Sequence, residues 1–307
     1  MVRKSRDGRP AATGYLPAMR VAVATCAALP GLSSDDRRLL AALRHAGVEA
    51  EPVVWEDRYH DWAAHDACVI RSAWDYAYRR DAFIEWSRRV ADVTTLVNPV
   101  AIVEWNTHKQ YLCDLAARGV RVVPTVVLPA GARVRLDVTL AARGWTDVVI
   151  KAAVAQTGRY FIQVGPADHA LGQAHLDRLL PHEDMLIQPF LTSIGHEGEL
   201  SLVFIDGELT HAIRKRAAAG DARVHLDYGG TEAIERPNRE AIEVAQAALA
   251  ASGSPLLYAR IDLVRDNAGR LAVMEAEFVE PDLFFRHAAS AVERMVAAIL
   301  RLVHDPG

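Results

Sequence analysis

Two tight hairpins in the last third of the chain constrain the fold more than any other feature. LSLVFIDGELTHAIRK (200–215) sets Asp206-Gly207 between two apolar runs, and an Asp-Gly pair so placed is a strong two-residue turn signal. YARIDLVRDNAGRLAVMEAEF (258–278) turns in the same way at Asp266–Gly269. Strands joined this tightly pair antiparallel. The first hundred residues read differently. MRVAVATC (19–26), VEAEPVVW, DACVIRSA and TTLVNP are short runs suited to strands, and the helical stretches DDRRLLAALRHAG and DAFIEWSRRV lie among them. That alternation predicts a small open parallel sheet over about residues 19–100.

The middle of the chain mixes the two patterns. THKQYLCDLAARG and LDVTLAARG read as helices, RVVPTVVL and MLIQPF as strands. DVVIKAAV and RYFIQV are strands on either side of the short loop Ala155-Gln156-Thr157-Gly158. REAIEVAQAALAASG and SAVERMVAAILRLVHD complete the last third as helices. The expected organisation is a disordered extension (1–18), an N-terminal parallel-sheet domain (19–101), a small central α/β subdomain (102–187) and a C-terminal antiparallel-sheet subdomain (188–307). A chain of 307 residues that is 51% hydrophobic can bury cores of that number and size. Its net charge of -4 argues against extended contact with nucleic-acid backbone. Cys26, Cys68 and Cys113 show no C-x-x-C spacing, which argues against a disulfide framework and suits a reducing cytoplasm. No apolar run approaches the roughly 20 residues that cross a bilayer, and the basic start lacks the apolar centre of a secretory signal.

The second hairpin carries the strongest chemical signal. Asp262 lies on its first strand and Glu275 and Glu277 on its second. Residues two apart on a strand share a face, so the glutamates project together, and antiparallel pairing can bring Asp262 beside them. Three carboxylates on one face repel each other unless a cation neutralises them, and magnesium takes oxygen ligands of this kind. A solvated acidic strand face is the plainer alternative. Lys151 closes the apolar run DVVIK, where an ammonium is costly to bury without an anion. Lys109 begins a helix, and either lysine can instead be a surface residue with an apolar stem. The Gln156-Thr157-Gly158-Arg159 loop can fold backbone N–H groups over phosphates, although no Walker loop exists in the chain. Arg214, Lys215 and Arg223 add cationic charge around the loop AAAGDARVHLDYGG (217–230). Cations beside an acidic metal hairpin are what phosphoryl transfer requires. Cys26 reads as core, and the twelve histidines show no H-E-x-x-H or similar zinc spacing. Arg71-Ser72-Ala73-Trp74-Asp75-Tyr76 follows the third strand, at the end where open α/β sheets bind ligands.

In order along the chain, these features resemble the ATP-grasp superfamily over residues 19–305. The resemblance implies that Lys109 and Lys151 contact the nucleotide and that Ala155–Arg159 is the mobile phosphate loop. LIQPFL (186–191), with Gln188, Pro189, Phe190 and Leu191, would be the adenine linker, and Glu199 the acid that binds ribose. GDARVHLDYGG (220–230) parallels the family's G-D-F-R-x-N-L-x-x-G-G loop, so Arg223 carries over as a phosphate contact, with His225 and Gly230 on the substrate side. ARID with MEAE parallels the family's R-x-D and M-E-x-N metal strands. Two departures matter: His225 and Glu277 both stand where asparagine is usual. The segments IRSAWDY, NTHKQYL, HAIRK and EPDLFF resemble an actinobacterial subgroup that includes a ligase closing the ring of D-cycloserine from O-ureido-D-serine.

The resemblance implies an ATP- and magnesium-dependent carboxylate–nitrogen ligase working through an acyl phosphate. Asp262, Glu275 and Glu277 would hold the metal. Lys109, Lys151, Lys215 and Arg223 would neutralise phosphate charge, and Arg260 would stabilise the tetrahedral oxyanion unless it is simply a salt-bridged strand residue. Arg71, Ser72, Trp74, Asp75 and Tyr76 are the candidates for holding the amino-acid end of a small carboxylate substrate. An intermolecular amino-acid ligase and a nucleotide-binding regulatory protein without turnover are the competing readings. Related ligases are often dimers, and nothing in the sequence marks an interface.

Overall fold

The computed structural model describes residues 19–156, 158–218, 224, 226 and 229–304. The expected extension 1–18 and the candidates Thr157, Arg223 and His225 lie outside the described residues. The chain runs β1 (Arg20–Thr25), α1 (Asp36–His45), β2 (Glu49–Val54), β3 (Ala67–Ile70), α2 (Arg80–Ala91), β4 (Thr95–Val97), α3 (Val100–Asn106) and α4 (Tyr111–Ala117). It continues with β5 (Val126–Leu128), α5 (Leu136–Arg143), β6 (Val148–Ala152), β7 (Ile162–Val164), α6 (His169–Leu179), β8 (Met185–Pro189) and α7 (Ser193–His196). The last third holds β9 (Glu199–Ile205), β10 (Glu208–Arg216), β11 (Thr231–Ile234), α8 (Arg239–Ala251), β12 (Tyr258–Arg265), β13 (Leu271–Glu277) and α9 (Ala289–His304).

Three sheets result. The N-terminal sheet is parallel in the order β2-β1-β3-β4, the central sheet is antiparallel in the order β5-β8-β6-β7, and the C-terminal sheet is antiparallel in the order β11-β10-β9-β12-β13. The turn at Asp206-Gly207 has φ of 55° and 74°, the double left-handed pair that a two-residue hairpin turn needs. Asp266 fixes the other turn by accepting the backbone N–H groups of Ala268 and Arg270, each at 2.9 Å.

Packing crosses the expected boundaries in two places. Residues 102–123 are expected in the central subdomain, yet α3 and α4 lie against the C-terminal sheet: Ile102, Tyr111, Leu112, Leu115 and Val120 share a core with Leu200, Ile261 and Val273. The reason is the outer edge of β13, whose unpaired backbone groups need partners. Asn106 donates to the Ala276 carbonyl and accepts from the Phe278 N–H, both at 2.8 Å, and the Tyr111 hydroxyl accepts the Ala276 N–H at 3.0 Å. The helix expected from Thr107 starts only at Tyr111, because the Lys109 N–H is directed to the Ala153 carbonyl at 2.8 Å. Second, α9 closes the C-terminal segment but covers the N-terminal sheet. Ala291, Met295 and Ile299 share a core with Val21, Val23, Leu39 and Leu43. That puts α1 and α9 together on one face of the parallel sheet, with Phe83, Trp86 and Val90 of α2 on the other.

Candidate active site

The site begins with strand register. Asp262 pairs directly with Glu275 across β12–β13, and Arg260 with Glu277. The register shifts between Asp262 and Leu263, a bulge that leaves Met274 as the additional residue. Strict alternation would send Met274 and Glu275 to opposite faces; with the bulge both line one cleft. The predicted trio is brought together, with one oxygen from each of Asp262, Glu275 and Glu277 lying within 4.8 Å of the others. An all-carboxylate set of hard oxygen donors fits magnesium.

Cations hold these acids in place. Arg260 grips Asp262 through Nε at 3.0 Å and Nη2 at 2.9 Å and also reaches Glu277. Lys215 sits directly across from Glu199 in β9–β10 register, pairs with it, and lies 3.3 Å from Asp262. Its neighbour Arg214 points away and pairs with Glu235 instead. Gly198 permits the close approach of these strands: a Cβ there would lie 2.0 Å from the Lys215 carbonyl oxygen. Lys109 pairs with Glu275. Burial raises the Glu275 carboxyl, but Lys109 and Lys151 outweigh it and hold it at about 2. Asp262 is likewise held far below the carboxylate range, because Arg260 and Lys215 overcome its burial. Glu277 goes the other way. Burial and the charges of Glu275 and Asp262 outweigh Arg260 and push it up to about 7.

Two clefts meet at these acids. The first, about 930 Å³ and open to solvent, lies between the central and C-terminal sheets. Lys109, Lys151, Glu275 and Glu277 line it along with the apolar Val149, Phe161, Leu191, Ile194 and Met274, and Gln188–Leu191 and Glu199 complete its wall. Gln188 donates to Thr125 at 2.9 Å, while its Oε1 is buried without a partner among the described residues. Lys151 has no ion-pair partner among the described residues, and burial pushes its ammonium down to about 8 despite the nearby Glu275 charge. A buried ammonium in that condition favours an incoming anion. The second cleft, lined by Trp74, Arg260, Glu232, Asp282, Phe284 and Arg286, shares Gln156 and Glu277 with the first.

The candidates after β3 divide. The Trp74 indole lines the second cleft and donates to the Glu280 carbonyl at 3.0 Å. Tyr76 accepts from Gln156, in the loop expected to cover phosphates, at 3.2 Å. Arg71 and Ser72 do not fit the expectation that they hold substrate. They are 1% and 0% exposed, and both are bonded to Asp36 at the start of α1. Asp75 also turns aside, accepting from the Trp55 indole at 2.8 Å and Arg79 at 2.7 Å. Gly230 is buried just before β11.

Several site residues were not singled out from the sequence. Glu280 accepts from Gln156, and burial with the neighbouring Glu277 charge pushes its carboxyl up to about 8. Asp282, Phe284 and Arg286 follow it, with Arg260 and Arg286 each about 5 Å from the Phe284 ring centre (5.5 and 4.9 Å). The segment EPDLFF carried the resemblance without any role attached to its residues. Met274 was invisible because a bulge cannot be read from alternation.

Comparison with known proteins explains the arrangement. Residues 21–98 match the family described as the D-cycloserine synthetase DcsG N-terminal domain, and residues 126–275 match the prokaryotic glutathione synthetase ATP-grasp domain. The chain is 36% identical over 296 residues to the cycloserine biosynthesis protein DcsG of Streptomyces lavendulae, covering 91% of this chain and 97% of that protein. This chain belongs to the ATP-grasp ligases. The crystal structure of D-cycloserine synthetase DcsG superposes with a TM-score of 0.85 at 34% identity, over 92% of this chain and 99% of that one. The ATP-grasp ligase PsnB, solved with a minimal precursor, Mg and ADP, shares the fold at a TM-score of 0.62 and 16% identity, over 92% of this chain and 98% of that one. As an ATP-grasp ligase, the protein is an ATP-dependent enzyme that forms carbon–nitrogen bonds. Among the described residues, no helix is long and apolar enough to cross a membrane.

A nucleotide phosphate bound at Lys151 would give this ligase a pH signature. The Lys151 ammonium titrates at about 8 in the free site, and a bound phosphate would raise that value. Nucleotide binding then takes up a proton above pH 8, so affinity is full below that pH and falls as pH rises, by up to about tenfold per unit. The KM for ATP is expected to climb above pH 8 in the wild type. It should stay flat in Lys151→Arg, whose guanidinium does not lose its proton. A wild-type KM that does not change between pH 7 and 9.5 would refute the role.

Proposed function

We propose that the protein closes a ring within a single amino-acid-derived substrate, taking O-ureido-D-serine to D-cycloserine in antibiotic biosynthesis. The observation that carries this reading is the second cleft. It is one compact pocket that joins the nucleotide cleft at Gln156 and Glu277, and its lining offers charges of both signs. Glu232 and Asp282 suit the ammonium of an amino acid, while Arg260 and Arg286 suit its carboxylate. A substrate that contains its own nucleophile needs no second pocket. The likeness to the S. lavendulae protein supports the same choice of substrate.

In this reading, the purine lies among Val149, Phe161, Leu191, Ile194 and Met274. Its amino group meets the orphaned Gln188 Oε1 and the linker backbone, and Glu199 faces the ribose. Lys109 and Lys151 bind phosphate oxygens. Magnesium, held by Asp262, Glu275 and Glu277, would supply positive charge to the phosphate oxygens as transfer proceeds. The substrate carboxylate attacks the γ-phosphorus, giving ADP and an acyl phosphate. The substrate's own nitrogen then attacks the acyl carbon and phosphate leaves. One water then cleaves the carbamoyl group left on the ring nitrogen, which takes up the proton as carbon dioxide and ammonia leave, and this completes the balance. Arg260 stands next to the metal carboxylates and stabilises the tetrahedral oxyanion, and Arg223 contributes to the phosphate side as the family pattern implies. Gln156 is held to Tyr76 of the N-terminal domain and to Glu280 of the C-terminal segment. That contact would keep the phosphate loop over the acyl phosphate and water away from it.

The test is a coupled ADP-release assay with mass detection of product. O-ureido-D-serine alone should yield ADP and D-cycloserine in equal amounts. ADP release only when a separate amine is supplied would replace ring closure with intermolecular ligation. Tight ATP binding without ADP release on any carboxylate would overturn turnover itself.

A further inference from the structure

Away from both clefts, a second group of donors converges on the N-terminal domain. Glu51 lies on β2, the edge strand of the parallel sheet, and His60 and His65 follow in the segment leading to β3. The two imidazole Nε2 atoms are 2.8 Å apart, and Glu51 Oε1 is 3.5 Å from the His65 Nε2. All three donor atoms lie within 4.8 Å of one another.

The backbone presents these side chains in a fixed arrangement. Between the histidines runs a 3₁₀ turn over Trp62–Ala64, capped by Asp61, whose carboxylate accepts the Ala63 N–H at 3.2 Å. His65 is 4% exposed and anchored at both backbone groups: its N–H donates to Trp62 and its carbonyl accepts from Thr94 at 2.7 Å. The His60 ring stacks on His65 at 5.0 Å and 21° and meets the Trp62 ring edge-on at 4.9 Å. Two imidazoles facing each other through the same nitrogen can share at most one hydrogen bond, and the carboxylate beside them finds no donor when that proton lies between the rings. A divalent cation resolves this, because each nitrogen presents a lone pair and the carboxylate adds negative charge.

We propose that Glu51, His60 and His65 form a binding site for a borderline divalent ion of the zinc class, tying the edge strand β2 to the segment that leads into β3. Its donor set sorts it from the catalytic trio: two imidazole nitrogens and one oxygen suit zinc, whereas three carboxylates suit magnesium. The H-x-x-x-x-H spacing stands here without the cysteine pair that accompanies it in zinc fingers, and the third ligand comes from a separate strand.

The experiment is calorimetric titration of the full chain with zinc, in excess magnesium and ADP so that the catalytic carboxylates are already engaged. Wild type should take up one equivalent. His60→Ala, a half-buried surface change, should weaken that uptake by at least about 100-fold while leaving ADP binding unchanged. Zinc should raise the melting temperature of the wild type and not of His60→Ala, and bound cobalt should give a visible d–d absorption that the variant lacks. No zinc uptake by the wild type, or equal uptake by the two proteins, would overturn the proposal.

Discussion

Glu275→Gln should lower kcat by about 10³-fold, a loss of ~4 kcal/mol in transition-state stabilisation, while leaving the fold intact. Glu275 is the carboxylate at the centre of the site. It lies opposite Asp262 in the strand register, its partner is Lys109, and Lys151 is the next cation that holds it ionised. The amide keeps the shape and can still accept from Lys109, so packing is preserved. What is lost is a full negative charge at the one acid that both lysines and a metal would share. The remaining carboxylates cannot replace it: Asp262 is occupied by Arg260 and Lys215, and Glu277 titrates near neutrality. Steady-state kinetics across magnesium concentrations gives the readout. The variant should need more magnesium for half-maximal rate as well as losing turnover. A kcat within about threefold of wild type at ordinary magnesium would remove Glu275 from the metal site.

How much of this was legible in the sequence follows from the range of the interactions involved. Both hairpins were readable because a turn and its flanking strands are local, and the double left-handed pair at Asp206-Gly207 is a local backbone demand. The convergence of Asp262 with Glu275 and Glu277 followed from the same hairpin. Lys109, by contrast, reaches Glu275 from a segment that sits beside β13 because Asn106 and Tyr111 complete that strand's edge, and no local pattern announces such pairing. The placement of α9 on the N-terminal sheet was equally hidden, since its amphipathic face fits any apolar partner. Arg71 and Ser72 show the opposite error. Polar residues at a strand end look like ligand contacts, but α1 brings Asp36 to them and they are spent on one another. Burial decides between those roles, and burial belongs to the tertiary structure.

That buried pair supports the second large effect. Asp36→Ala should destabilise the protein by about 3–5 kcal/mol, because it leaves the Arg71 guanidinium charged, 1% exposed and without its counter-ion. Asp36 also accepts from the Ser72 hydroxyl at 2.7 Å, so two buried donors lose their acceptor at once. Arg71 would still donate to the Pro281 carbonyl and lie 5.3 Å from the Tyr258 ring centre, contacts too weak to neutralise a desolvated cation. The double variant Asp36→Leu with Arg71→Met removes both charges together and should recover most of the loss, since apolar replacement of a buried pair is often close to neutral. Denaturant midpoints for Asp36→Leu, Arg71→Met and the double variant form the cycle that measures this coupling. A cost below about 1 kcal/mol for Asp36→Ala would show that the pair contributes little. A functional effect should accompany the stability loss. Arg71 ties the end of β3 to Pro281, which lies between Glu280, bonded to Gln156, and the cleft residue Asp282, so loosening it displaces the second cleft more than the first. The KM for the carboxylate substrate should therefore rise in Arg71→Met while the KM for ATP stays near its wild-type value, a split that general destabilisation would not produce.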